Sequence, residues 1–376
     1  MEKTLAPQRY YALDILRGMT IALMIMVNNP GSWSAVYSPL KHASWHGFTP
    51  TDWVFPSFLF VVGNAMSFSL KKYGTLGEST FLKKVFKRAG IIFLIGLLLN
   101  AFPFVYRADG EILFKNLADV RIMGVLQRIA LCYLLASLII HYLKLKGAVL
   151  VGLLILLTYW AIMYFFGSSP LPYSLENNAA LKFDNLILRT ENLYNGFGIP
   201  FDPEGLLSTL PAIVNVIAGY AAGIFVQKSG NQLKTIWKLL GAGIVLIALA
   251  LLWDIYFPIN KPIWTSSFVL YSTGWTLIVL AILIYIIELL NYRKWAYFFE
   301  AFGKNPLFIY VVAGVVANLL GLIYINSVPL QSWLYQNLYL SWLDDINASL
   351  AFAIVFILIM WLLGYVLDKN KIYIKV

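Results

Sequence analysis

The sequence predicts an all-α polytopic membrane protein: a bundle of about ten transmembrane helices with both termini cytoplasmic, residues 1–376 forming a single membrane domain. Three observations carry this expectation. The 376 residues are 60% hydrophobic and only 12% charged, and the mean hydropathy of +0.75 exceeds what a soluble core of this size shows. About ten apolar segments are long enough to span roughly 30 Å of hydrocarbon at about 1.5 Å per residue. They fall near residues 13–29, 53–70, 88–106, 121–143, 147–166, 207–226, 237–257, 265–290, 306–325 and 347–367. Finally, 12 Trp and 23 Tyr suit helix ends placed at the headgroup level.

Charge placement predicts the orientation. With the N terminus inside and the segments alternating, eight Lys and Arg fall in the outer half: Lys41, Arg107, Lys115, Arg121, Arg128, Lys182, Arg189 and Lys261. The other 20 of 28 are inside, among them Lys71, Lys72, Lys83, Lys84, Lys87 and Arg88, as basic inner loops require. With about 12 of 18 acidic residues outside, the halves carry about +14 and about −4. The net charge of +10 is therefore mostly an insertion signal, no nucleic acid is expected, and the outer acids hint at a cationic partner. The lone Cys132 forms no internal disulfide, and no Cys and His cluster has metal-ligand spacing, so no metal is expected. Asp14 and Arg17 interrupt any cleavable leader, so the first segment is expected to stay as an anchor. No phosphate-binding glycine loop, dinucleotide fingerprint, nucleophile elbow or clear internal repeat is present.

Taken in order, Asp14 and Arg17 open the first helix as an expected ion pair, and Pro30 and Gly31 stop it, leaving Asn28 at its end. The next loop, KHASWHGFTPTDWVFP, holds His42, His46 and Asp52 in a chain with three histidines. Polar groups beside apolar segments need partners or a wet cavity, and imidazoles near a carboxylate and amides are suited to moving protons. Asp52 reads equally as a helix N-cap. Residues 71–88 form a basic inner loop in which Lys84 and Arg88 are candidates for phosphate or anionic lipid. Gln127 and Arg128 lie within the fourth segment, where the arginine meets either a structural partner such as Asp254 or Asp52, or a ligand.

Residues 167–206 are the longest stretch without helical periodicity and are expected to cover the outer mouth. At their end, Asp202 and Glu204 precede a helix that continues with Ser208, Thr209 and Asn215; capping accounts for part of this pattern, and the polar face beyond can line the cavity that holds His42. Asn260, Lys261, Trp264 and Ser266 mark the outer end of the eighth segment, as packing residues or as a ligand wall. Lys304 and Asn305 stand at the inner entrance of the ninth, where backbone amides and a lysine can hold a phosphate.

The blocks LDILRGMTIALMIMVNNPG, KHASWHGFTPTDWVFPSFLFVVG, RIMGVLQRIALCY, DPEGLLSTLPA, NKPIWTSSFVLYSTGW and FGKNPLFIY together resemble the bacterial branch of the heparan-α-glucosaminide N-acetyltransferase family of transmembrane acyltransferases. The resemblance implies acetyl transfer from cytoplasmic acetyl-CoA to the amine of a glucosamine across the membrane. In the lysosomal family member the catalytic histidine sits in a KHASW block, matching His42; the asparagine closing the preceding helix matches Asn28, and an aspartate matches Asp52. The chain departs at His46, where the lysosomal form has asparagine, so two imidazoles compete for the role of base. It also stands without that form's lumenal domain and one helix, which makes a free amino sugar the expected acceptor.

On this reading Arg128, Gln127, Lys304, Asn305, Lys84 and Arg88 are expected near acetyl-CoA, and His46, Asp202, Glu204, Trp264 and Ser266 near the sugar. The expected setting is a bacterial inner membrane, multi-pass, with lipid around it and a homodimer as the assembly. An amino-sugar permease would share the helices and the wet cavity, and a purely structural membrane protein would need no His, Asn and Asp cluster at all.

Overall fold

The computed structural model describes residues 10–73, 77–108 and 110–374, without the side chains of 71–73. The first nine residues and the Lys71 and Lys72 side chains, which contribute to the inner charge, lie outside the described residues. Helix α1 (Tyr11–Asn28) carries the expected Asp14–Arg17 pair at 2.8 Å. Helix α2 (Pro50–Tyr73) starts with a capping box: the Thr49 amide donates to Asp52 Oδ2 at 3.0 Å and the Asp52 amide donates to Thr49 Oγ1 at 3.3 Å. Helix α3 (Glu78–Ala101) leads into a hairpin of β1 (Val105–Ala108) and β2 (Glu111–Phe114). Helix α4 (Val125–Phe166) runs 42 residues but breaks at Lys144, whose φ of 57° and ψ of −176° are not helical.

Three long helices follow a short one: α5 (Ala179–Ile187), α6 (Thr209–Ser229), α7 (Leu233–Asp254) and α8 (Ser266–Leu283), the last running into a π turn at Ile284–Leu289. Then come α9 (Tyr297–Lys304) and α10 (Pro306–Leu322), a ribbon of β3 (Tyr324–Ile325) and β4 (Val328–Pro329), α11 (Leu330–Leu334) and α12 (Asp345–Lys369).

Where the sequence predicts about ten crossings, 7 helices among the described residues are long and apolar enough to cross a membrane, or 8 if the pair bent by 77° at Asn305 forms one broken span. Two causes take ten to eight, and α10, with 17 residues, crosses only as part of the bent pair. Lys83, Lys84, Lys87 and Arg88 occupy the first half of α3 and shorten its apolar part. The expected segments 121–143 and 147–166 run together as α4, broken only at Lys144. The stretch 167–206 is also less irregular than predicted, because Asn178 caps α5 by accepting the Leu181 amide at 2.8 Å. It does lie as a cover: Trp45 Nε1 donates to Tyr173 O at 2.8 Å, and Tyr159, Ala180, Phe201, Leu207, Phe257 and Ile263 share one apolar cluster.

In hydrocarbon, helices gain little from burying apolar side chains against one another, so close backbone approach matters more. The α2 and α6 helices meet through such a contact. A Cβ on Gly63 would stand 1.8 Å from Val216 O, and one on Gly219 would stand 1.8 Å from Phe60 O. Gly63→Val is therefore expected to destabilise the protein in detergent by at least ~2 kcal/mol, since neither backbone can yield. Gly90→Ala, which meets nothing within 4 Å, is expected to leave it unchanged. Thermal unfolding of the two variants against the parent decides the matter; equal midpoints for Gly63→Val would remove this contact from the account.

Candidate active site

The site is built from the end of α1, the loop after it and the first turn of α2. That loop folds back so that His42 and Asp52 face a cavity of about 390 Å³, whose wall also includes Asn28, Arg121, Tyr194, Glu204 and Lys261. His42 Nδ1 lies 2.6 Å from Asp52 Oδ1; the His42 side chain is 47% exposed and that of Asp52 1%. Asp52 Oδ2 accepts the Ala43 amide at 3.0 Å as well as the Thr49 amide and hydroxyl. The carboxylate is thus held by the turn it caps. Because an ionised carboxylate only accepts, Nδ1 carries a ring proton, and in the neutral ring it is Nε2 that holds the lone pair. Asn28 is exposed in the cavity, and its side chain makes no hydrogen bond among the described residues.

The two competing imidazoles are separated in space. His46 does not line this cavity: its Nδ1 accepts from Asn260 Nδ2 at 3.3 Å, and the same amide donates to Trp45 O at 2.9 Å. Burial pushes the His46 imidazole below its ordinary value, with Asp254 opposing. His46 thus stabilises the loop wall.

The acids expected to face a cation are already paired. Arg121 reaches Asp202 and Glu204, each at 2.6 Å, with its guanidinium over Tyr194 at 4.7 Å from the ring centre. Burial opposes the Arg121 charge, but the two carboxylates outweigh it and hold the group above its usual range. Nor do Asp202 and Glu204 cap α6. The amides of Leu206 and Leu207 donate instead to Asp184 Oδ1 of α5, at 3.0 and 3.1 Å.

A second cavity, of about 440 Å³, opens near the break between α9 and α10, and its wall includes Arg17, Arg88, Tyr133, Lys304 and Pro306. Lys304 is engaged by Asp368 at 2.8 Å and Glu300 at 3.1 Å, and Arg17 Nε donates to Gly303 O at 2.7 Å. Arg88 differs: it stacks over Tyr133 at 5.0 Å and forms no ion pair among the described residues. The first two cavities share Met24 and Val125 as walls. A third, of about 400 Å³, adjoins the first through Asn28, Arg121 and Tyr194 and adds Asn29, Asn100 and Asn318.

Several expected ligand residues sit away from these cavities. Arg128 is fully buried, donating to Gly205 O at 3.2 Å and to Ser208 Oγ, with its guanidinium over Trp264 at 4.8 Å. It therefore ties α4 to the start of α6. Trp264 Nε1 donates to Asn215 Oδ1 at 3.0 Å, and Ser266 Oγ donates to Leu156 O at 2.7 Å, so both serve packing. Gln127 is buried against Gly96. Asn305 accepts from Ile374 N at 2.7 Å and donates to Ile372 O at 3.0 Å, holding the C-terminal tail. Lys84 is exposed one turn before Arg88 and is not part of the cavity wall. Conversely, Arg121 and Tyr194 line the His42 cavity although no motif marks them as site residues, and Lys261, read only as part of a packing or ligand wall at the eighth segment, lines it too.

Comparison with known proteins falls on the same elements. The profile described as "Heparan-alpha-glucosaminide N-acetyltransferase, catalytic" matches residues 9–238, which contain the whole His42–Asp52 loop. The human protein named heparan-alpha-glucosaminide N-acetyltransferase is 26% identical over 428 aligned positions, covering 98% of this chain and 60% of the human one. The mouse protein of that name is 25% identical over 82% of this chain and 54% of its own. The chain thus spans about 60% or less of the length of these relatives. Since the profile covers more than half of its residues, the chain belongs to the heparan-alpha-glucosaminide N-acetyltransferase family.

Proposed function

We propose that the chain is a transmembrane N-acetyltransferase that moves the acetyl group of acetyl-CoA to the amine of glucosamine or a related amino sugar. The observation that carries this reading is the pairing of cavities: one holds His42 with its carboxylate, the other an Arg88 without an ion pair among the described residues, and Met24 and Val125 border both. Acetyl-CoA binds as donor substrate from the Lys304 end, with its phosphates drawn to Arg88 and its thin arm directed at Met24. The sugar enters at the His42 end.

The amine attacks the thioester carbonyl carbon while His42 Nε2 takes the proton it loses, and Asp52 supports the imidazolium through Nδ1. Asn28, with its amide unspent, donates to the oxyanion. Collapse of the tetrahedral intermediate expels the CoA thiolate, which takes the proton from the imidazolium. Free CoA and an acetamido sugar result. The same ring also permits an acetyl-imidazole route, in which Nε2 attacks first.

The proposed orientation puts the Lys304 end in the cytoplasm of a bacterium and the His42 end outside the inner membrane. The proposed crossings number about ten, counting α3, both parts of α4 and the bent α9–α10 pair as separate spans. Neither charged substrate crosses hydrocarbon unaided, which fits entry from opposite faces.

His42→Ala is expected to lower turnover by about 10²- to 10⁴-fold while the protein still inserts, whereas His46→Asn keeps most activity. The reverse ranking in a glucosamine and acetyl-CoA assay would assign the base to His46. Arg88→Ala is expected to raise the KM for acetyl-CoA about tenfold or more with kcat little changed, because one charge-assisted anchor is lost; an unchanged KM removes Arg88 from the donor site. In sealed vesicles, acetyl-CoA at the Lys304 face and glucosamine trapped at the other should yield product beside the glucosamine. Product only when both substrates share the Lys304 side would end the transmembrane reading.

A further inference from the structure

Lys261 lies in the loop between α7 and α8 and reaches the wall of the His42 cavity with a side chain only 15% exposed. Its Nζ is 3.1 Å from His42 Nδ1 and 3.2 Å from His42 Nε2. A point that close to both ring nitrogens cannot lie in the ring plane, where it would overlap the ring's own carbon atoms. The amine therefore stands over the face of the imidazole. From there it leaves the in-plane lone pair of Nε2 open, and Nδ1 keeps its bond to Asp52.

Two opposed fields then act on one ring. An ammonium over a neutral ring is attracted to the π face, and over an imidazolium it is repelled. Asp52 acts in the other sense, because a carboxylate in contact favours the charged ring. Of the other charges facing this place, Glu204 and Arg121 belong to the same wall and are joined to each other, and Arg128 stands behind, engaged by Gly205 and Ser208. Lys261 and Asp52, 3.8 Å apart, are thus the charged groups in contact with the His42 ring. Burial pulls the Lys261 amine below its usual value, and Asp52 and Glu204 oppose that pull.

We propose that Lys261 is a positioning residue that holds His42 as a neutral base, with Nε2 turned to the acceptor amine, against the pull of Asp52 toward imidazolium. This rests on the acetyl-transfer reading for its use, but the coupling itself does not. A base that began the cycle already protonated could not take the amine's proton, so the acid at Nδ1 needs a counterweight.

The test measures kcat/KM against pH for Lys261→Met and Lys261→Arg, and follows the His42 ring by ¹⁵N NMR of the histidine-labelled full chain in detergent. The His42 signal is assigned by its loss in His42→Gln. In Lys261→Met the acidic limb should move up by about one pH unit, an about tenfold loss on its low side with the alkaline plateau kept. Lys261→Arg should stay near the parent, and the NMR transition of His42 should follow the limb. Lys261→Gln serves if the methionine variant does not fold. An unmoved limb and transition, or an equal loss at every pH, would overturn the assignment and leave Lys261 as a packing or acceptor contact. Because the NMR titration needs no turnover, a moved transition in a protein that transfers no acetyl group sinks the proposed activity and keeps the coupling.

Discussion

The Asp52 carboxylate is the constraint on which the rest of this end of the molecule depends. One oxygen takes the His42 ring, and the other takes the Ala43 amide and both donors of Thr49. A single side chain therefore starts α2, closes the loop after α1 and sets the tautomer of the imidazole. Removing it would leave the half-buried Ala43 and Thr49 amides and the exposed His42 ring without their acceptor. Loss of Asp52 thus acts on folding and on chemistry together, and the two effects separate only for a residue such as His42, which nothing else in the turn requires.

Elsewhere the fold neutralises its charges before it presents them. Arg121 is shared by Asp202 and Glu204 at one end, and Lys304 by Glu300 and Asp368 at the other. Such pairing is what a membrane interior demands, since an unmatched charge or amide there costs several kcal/mol. Against that background the exceptions carry information. Arg128 is buried among Gly205, Ser208 and Trp264 with no carboxylate partner among the described residues, whereas Asn28 in one cavity and Arg88 in the next lack such partners among the described residues where a cavity wall exposes them.

What was legible in the sequence follows from distance along the chain. Asn28, His42 and Asp52 lie close in sequence, so the cluster could be read without tertiary information. By sequence Asp52 reads as an N-cap, whereas Thr49 holds that place and Asp52 answers it from the third helical position. The ends of α1 and the Asp14–Arg17 pair were legible from closeness in sequence too. The long-range partners were not. His46 is taken by Asn260, 214 positions away, and Lys261 reaches His42 across 219 positions. Arg128 reads as a ligand residue until α6 supplies Gly205 and Ser208. The outer acid excess misled because a charge count does not record that Arg121 is already between two carboxylates. The span count suffered from α3, whose basic first half shortens its apolar part.

In the proposed reaction, the wall between the two cavities is what would let one bundle seal a membrane and still pass a group across it. Met24 belongs to α1 and Val125 opens α4, and both side chains border both cavities. A partition made of side chains and not of backbone can yield locally, and methionine, unbranched and with several rotatable bonds, is well suited to yielding. It still closes the path to hydrated ions, because the contacts around it are apolar: Met24, Val54, Phe55, Leu126 and Ile129 belong to one packed cluster. For the proposed reaction this means that neither substrate needs to cross. Only a two-carbon acyl group has to pass the plane of Met24, carried on a thin arm from one side and received by an amine beside His42 on the other. The helices can then stay in place through the cycle, with the motion confined to a few side chains.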